Sequence, residues 1–312
     1  MRLVFLNFSR FKIIGEKIVE KAKKVSFPFF DGVPIYDVVL FFWRSIINGA
    51  ITTRASAIAF SFFVALFPFI IFLFTIIPFI PIENFQAELF LLVQQIVPES
   101  TFPTIEDTVS TIIQKQRGGT LSIGFFMSLI FSTNGLVAMM NAFDATIFSI
   151  KRRTWWSQRL AAIMLLFILS VLIAIAIGLL TGGQKLINYL DNNDFLRDAF
   201  YVYFLIFVKW VITISLFFFA YAFLYYMAPA KKTKWRFISA GGTLATILSI
   251  FTIIGFTYYI NNFSRYNIVY GSLGTLLIIL LLIYVMSLIL LIGFELNASI
   301  HEAHSKKAEY SG

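Results

Sequence analysis

The sequence predicts an all-α polytopic membrane protein: a bundle of six transmembrane helices, with N-terminal interfacial amphipathic helices and a small helical outer cap. Three observations carry that prediction. Hydrophobic residues fill 59% of the 312 positions and charged residues only 13%, about half the charge that coats a soluble domain. Six apolar stretches are each long enough for a bilayer core, which asks for about 20 residues per helix. The basic residues fall in alternate connectors, so that 19 of the 25 Lys and Arg lie on one side, and basic residues near spans are held on the cytoplasmic side.

Composition also excludes. With no cysteine, disulfides, thiolate catalysis and Cys-ligated metals are ruled out. The basic N-terminus lacks an apolar core followed by a small-residue cleavage site, so no signal peptide is expected. A net charge of +9 would suit a nucleic-acid binder if it formed one patch. Here it is dealt out around the spans, so no nucleic-acid partner is expected.

Residues 1–54 read as basic, interfacial helices on the cytoplasmic side. Ser9–Val25 sets Phe11, Ile14, Ile18, Ala22 and Val25 at helical spacing among lysines. Such a helix either lies in the membrane interface or stays solvated and fixes topology. Pro28 and Pro34 end it, and Tyr36–Ile51 reads as a second interfacial helix leading into span one.

The transmembrane domain, 55–300, is divided into spans at Ile58–Ile80, Leu121–Ile150, Leu160–Thr181, Phe200–Met227, Phe237–Ile260 and Gly271–Ile300. Several exceed the minimum and are expected to tilt. Pro68 and Pro78 permit a kink in span one, and Gly271 and Gly274 allow close helix approach. The outer loop, 81–120, is punctuated by Pro81, Pro98 and Pro103. Its segments Phe85–Val97 and Thr104–Gln116 look amphipathic, the second opening on a capping-box-like Thr104 and Asp107. Residues 301–312 read as a cytoplasmic tail. A faint echo relates spans two and six, Gly119-Thr120-Leu121 to Gly271-Ser272-Leu273 and Asp144 to Glu295; it is either an internal repeat or the ordinary likeness of apolar helices.

A charge at the bilayer centre costs at least about 2.5–3.5 kcal/mol, so ionisable residues within spans are functional or paired. Span two carries Thr133, Asn134, Asn141 and Asp144 within one arc of about 100°. Span six carries Tyr284, Ser287, Glu295 and Ser299 on one side, and Arg54 opens span one. Arg54, Asp144 and Glu295 are expected to converge on a polar patch or inward-facing cavity. The alternative is that Asp144 and Glu295 meet interfacial water or nearby lysines. Lys209 in span four either snorkels outward or joins a buried pair. The candidate substrate-binding set is Arg54, Asn134, Asn141, Asp144, Tyr284 and Glu295.

No catalytic residue, cofactor or metal is expected. His301-Glu302-Ala303-His304 places its histidines at i and i+3, whereas the zincin motif needs i and i+4. No phosphate-binding loop or nucleophile elbow is present in the sequence, and the chain does not read as an enzyme.

Taken in order, several stretches resemble the YihY/BrkB family of bacterial inner-membrane proteins. They are Thr52-Thr53-Arg54-Ala55-Ser56-Ala57-Ile58-Ala59-Phe60 running to Leu66-Phe67-Pro68, then Met140-Asn141-Ala142-Phe143 and Tyr225-Tyr226-Met227-Ala228-Pro229. Ile268-Val269-Tyr270-Gly271-Ser272-Leu273-Gly274 and Leu291-Ile292-Gly293-Phe294-Glu295-Leu296-Asn297 complete the set. The resemblance covers about residues 35–300 and rests on order and spacing together. One departure is Phe294, where the family more often has Ala.

An old ribonuclease BN label attached to that family finds no support in the residues above. The resemblance implies a role in moving phospholipid or a lipid precursor across the bacterial cytoplasmic (inner) membrane. The basic interfacial helices suit anionic headgroups, so membrane lipids are the expected partners, with a homo-oligomer or an envelope protein as a further candidate. The competing reading is a non-transporting scaffold that docks envelope or secretion partners through the outer cap.

Overall fold

The structure, a computed structural model, describes residues 20–23, 25–26, 30, 32–48, 50–76, 91, 94, 102, 106, 120–146, 153–192, 199–230, 237–262 and 272–311. The Ser9–Val25 helix and the outer cap fall almost wholly outside these residues. Eight helices are described: α1 (Ile35–Asn48), α2 (Ile51–Ile76), α3 (Thr120–Ser132), α4 (Asn134–Thr146), α5 (Trp155–Asn192), α6 (Ala199–Met227), α7 (Ala240–Asn262) and α8 (Ser272–Ser311). No strand occurs among the described residues. Among the described residues, six stretches are long and apolar enough to cross a membrane: Ile51–Ile70, Phe126–Thr146, Trp155–Leu179, Tyr203–Met227, Ala240–Ile260 and Leu276–Lys306. The fold is an all-α polytopic bundle.

Several helix boundaries differ from the sequence expectation, α5 running Trp155–Asn192 rather than Leu160–Thr181, and three differences have a local reason. The first crossing helix begins at Ile51, seven residues early, so Arg54 lies in its first turn. Ala50 adopts a left-handed backbone (φ 45°), a conformation that costs an L residue about 1–2 kcal/mol, and its carbonyl accepts the Arg54 amide at 3.1 Å.

The second span is locally distorted at Thr133, between α3 and α4. The Leu129 carbonyl still accepts the Thr133 amide at 3.3 Å and the Thr133 carbonyl accepts the Val137 amide at 2.9 Å, but the Ile130 carbonyl accepts the Thr133 hydroxyl at 2.6 Å and Arg159 Nη1 at 3.2 Å. Side chains entering the backbone ladder in this way bend or interrupt helices.

The last span runs on to Ser311 as a 40-residue helix. At 1.5 Å per residue it is about 60 Å long, twice the bilayer core. Its final turns are held by packing: Ile300 and Ala303 are buried with Val33 and Val38, and the Lys306 ammonium sits 4.5 Å above the Phe41 ring. His301 and His304 therefore ride on a helix rather than in a loose tail.

At the centre α8 packs against α7, α2, α1 and α4, while α2 also packs on α3 and α4, and α5 and α6 close the remaining arc. The core between them includes Ala55, Ile58, Met139, Phe143, Leu165, Ala245, Leu291 and Phe294. The α7–α8 crossing is set by glycine: a Cβ on Gly241 would overlap the Gly293 backbone oxygen, and one on Gly293 would overlap the Tyr225 hydroxyl. Backbones approach this closely only where side chains are absent.

The same crossing caps α7. Ser239 Oγ accepts the Gly242 amide at 3.1 Å and Asn297 Oδ1 accepts the Gly241 amide at 2.8 Å, so two amides of the helix's open first turn are satisfied. Pro68 lies within α2, which continues past it to Ile76.

The crossing makes a direct prediction. Gly293→Ala should cost about 1–3 kcal/mol through overpacking and lower the unfolding temperature of the detergent-purified protein. Gly255→Ala, which meets open space, should leave it unchanged or raise it. Equal behaviour of the two variants would contradict the crossing.

Candidate functional site

The polar side chains of the bundle sort into three groups. The first surrounds Glu295 of α8, which has no solvent exposure. A buried carboxylate costs several kcal/mol unless neighbours compensate it, and here three do. Arg54 Nη2 donates to Glu295 Oε1 at 2.5 Å, the Thr146 hydroxyl donates to the same oxygen at 2.8 Å, and the Ser45 hydroxyl donates to Oε2. Arg54 Nη1 also donates to Thr146 Oγ1 at 2.5 Å and to the Ala142 carbonyl at 3.0 Å. Its Nε is buried without a partner among the described residues. One carboxylate thus ties together α1, α2, α4 and α8.

The second group closes the end of α6. A helix leaves its last carbonyls unsatisfied, and cations favour that end. Arg153 donates to the carbonyls of Met227, Ala228 and Pro229 at 3.1, 3.2 and 3.0 Å. Asp144 Oδ1 accepts the Ala230 amide at 2.9 Å. The Tyr225-to-Pro229 stretch is therefore clamped from both sides.

An aromatic slab separates these two groups. Phe143 of α4 and Phe294 of α8 stack at 3.8 Å with 1° between planes, and Tyr225 meets both edge-on at 5.9 and 6.0 Å. The Tyr225 hydroxyl donates to the Leu290 carbonyl at 2.8 Å, which satisfies its one buried polar atom. The departure at Phe294 thus fills a fully buried slot.

The third group lies on the bundle's flank, between α4 and α5. Arg159 Nη1 donates to Thr133 Oγ1 at 2.6 Å and to Asn134 Oδ1 at 3.0 Å, in addition to the Ile130 carbonyl. Gln158 Nε2 donates to Asn141 Oδ1 at 2.7 Å. Asn134 and Asn141 are exposed and, seven residues apart, share one face of α4. A strip of amides and one guanidinium so runs along a surface otherwise made of exposed apolar residues such as Phe126, Phe131 and Leu160.

The six residues singled out in the sequence are therefore not one constellation. Arg54 and Glu295 meet in an ion pair. Asp144 does not join them; it points to the turn after α6. Asn134 and Asn141 belong to the flank, about 60° around α4 from Asp144. Tyr284 is half-buried against the apolar core, apart from all three groups. Lys209 is exposed on α6.

Sequence reasoning missed Ser45, Thr146, Gln158, Arg153 and Arg159 as parts of these groups. The two arginines were legible only as basic connector charge, and the two hydroxyls carry no pattern of their own. Among the described residues, no three His, Asp or Glu are grouped so as to hold a metal ion.

The buried pair is testable. Glu295→Ala leaves a buried guanidinium uncompensated and should destabilise the purified protein by about 3–5 kcal/mol. Replacing both partners, Arg54→Met with Glu295→Leu, should recover most of that loss. A double variant as unstable as the single one would contradict the pairing.

The model of the family described as Virulence factor BrkB matches residues 42–312. Among curated proteins, Bacillus subtilis (strain 168) YfkH, whose name calls it ribonuclease-like, is 25% identical over 80% of this chain and 90% of its own length. A UPF0761 membrane protein of Haemophilus influenzae (strain 86-028NP) is 26% identical over 84% of this chain and 94% of its own length. Another, from Aliivibrio salmonicida (strain LFI1238), is 28% identical over 85% and 83%. No solved structure matches the chain.

Proposed function

We propose that this chain, which belongs to the Virulence factor BrkB family, moves a lipid or another amphiphile across the bacterial cytoplasmic membrane. The observation that carries the reading is the polar strip on the flank of a multi-pass membrane bundle, beside the local distortion at Thr133 in span two. Polar side chains exposed on an otherwise apolar membrane-spanning face are costly unless they serve a path or a partner. Along such a strip a headgroup passes Asn134 and Asn141 while its acyl chains stay among lipids.

The alternation of basic connectors supports an orientation with both termini in the cytoplasm. Trp155 and Trp156, 58% and 77% exposed at the start of α5, then lie at the inner membrane interface, where Trp is enriched. The Arg54–Glu295 pair serves as the frame that holds the strip's helix, α4, to its neighbours. No nucleotide-binding motif occurs in the sequence, so movement is equilibrating or driven by an ion gradient or a partner. The scaffold alternative drew on the outer cap, of which only Leu91, Gln94, Phe102 and Glu106 are described, and no described contact favours it.

The test is translocation of headgroup-labelled phospholipid in reconstituted vesicles. Wild type should move lipid faster than protein-free vesicles. The paired change Asn134→Leu with Asn141→Leu should slow it about tenfold, the effect of about 1.4 kcal/mol on a barrier. A wild type no faster than empty vesicles would sink the reading.

A further inference from the structure

We infer that Arg159 is the binding site for the phosphate of an anionic membrane phospholipid, held at the flank between α4 and α5. This assignment rests on the reading of that flank as a lipid path and names the chemistry the path selects.

The bundle's guanidinium groups are used unequally. Arg54 directs one nitrogen to Glu295 and another to Thr146 and Ala142. Arg153 commits both terminal nitrogens to carbonyls. Arg159 is different: all three of its hydrogen bonds leave from Nη1. Its Nη2 and Nε have no partner among the described residues. Neither is buried, because the buried polar side-chain atom left without a partner among the described residues is Arg54 Nε. One edge of the Arg159 fork is therefore anchored to span two, and the rest is presented outward.

What it faces follows from its neighbours. No carboxylate pairs with Arg159 among the described residues. Its guanidinium carbon sits 5.6 Å from the ring of Trp155, one helical turn earlier on α5. Two exposed tryptophans at that helix start mark the headgroup level, and Arg159 lies just inside it. A cation held there without a counter-ion is costly, and the anion abundant at that depth is lipid phosphate. The planar fork matches phosphate with two parallel hydrogen bonds, which an ammonium cannot reproduce.

The surrounding amides fit the same ligand. Asn134 accepts from Arg159 through Oδ1 and Asn141 accepts from Gln158 through Oδ1. The Asn134 amide NH2, beside the guanidinium, is a second donor for a phosphate diester at Arg159, while Asn141, about 10 Å further along α4, lies on the path beyond it.

The experiment uses the full-length protein in neutral detergent, titrated separately with phosphatidylglycerol, phosphatidylcholine and inorganic phosphate, with retained lipid counted by native mass spectrometry. Wild type should retain phosphatidylglycerol in preference to phosphatidylcholine and gain nothing from inorganic phosphate. Arg159→Lys keeps a donor for Thr133 and Asn134 but loses the free edge. It should bind phosphatidylglycerol about tenfold more weakly, the effect of losing one hydrogen bond to a charged group, with its lipid-free unfolding temperature preserved. Arg44→Gln, on the exposed side of α1, should change nothing.

Wild-type affinity in Arg159→Lys overturns the proposal. Inorganic phosphate bound as tightly as phosphatidylglycerol reassigns the site to the free anion and overturns its lipid identity. A second measurement does not depend on any variant folding. A photoactivatable phosphatidylglycerol should label wild type within 134–141 or 155–159, and labelling confined to other segments overturns the site. A protein that binds at Arg159 but moves no lipid in vesicles would defeat the transport reading and leave the site standing.

Discussion

A carboxylate sealed from solvent in a membrane bundle constrains everything packed around it. Glu295 cannot hold its charge in that position alone, and it cannot be reached by bulk water. Its neighbours must therefore supply donors from fixed directions. Arg54 does so from the first turn of α2, Thr146 from the last turn of α4 and Ser45 from α1. The α4 and α8 helices come from parts of the chain distant from α1 and α2. The early start of α2 at Ile51, the left-handed turn at Ala50 and the docking of α1 along α8 all serve to bring those donors to one point. The Gly241–Gly293 contact holds the opposite side of the same helix just two residues away from Glu295.

The bundle uses its arginines in two ways. Arg54 and Arg153 each commit both terminal nitrogens, one to a carboxylate, a hydroxyl and a carbonyl, the other to helix-terminal carbonyls. Both are devices for holding helices at fixed angles. Arg159 meets the distortion at Thr133 with a single nitrogen and keeps the rest of its fork outside. The same residue type thus appears as frame and as exposed donor, and the number of committed nitrogens distinguishes them. That separation supports placing chemistry at the flank of α4 and α5 and leaving mechanical coupling to the buried pair.

Much of the fold was legible in the sequence because membrane insertion writes itself into composition. Six apolar runs and the alternation of basic connectors needed no knowledge of packing. The meeting of Arg54 with Glu295 was also foreshadowed, since two ionisable residues within spans call for partners. Other features were not legible. The distortion at Thr133 lies in an apolar span, and the Ile130 carbonyl there is met both by the Thr133 hydroxyl and by Arg159 from another helix. Asp144 looked like a third member of the ionic group, yet a 60° rotation on α4 sends it to the Ala230 amide. Thr146 and Ser45 are ordinary hydroxyls until the fold sets them beside Glu295. The continuation of α8 to Ser311 depends on a surface of α1 that no pattern in the tail reveals.

The central claim is that polar strip and buried pair occupy different environments: Asn141 faces the lipid phase and the Glu295 side of α8 is closed. The cysteine-free chain makes this directly measurable. Single cysteines are introduced at Asn141 and at Ser299, which is 2% exposed, and each protein is reconstituted with a phospholipid carrying a thiol-reactive headgroup. The account predicts rapid adduct formation at position 141 and none at position 299. Adducts at both positions, or at 299 alone, would contradict it.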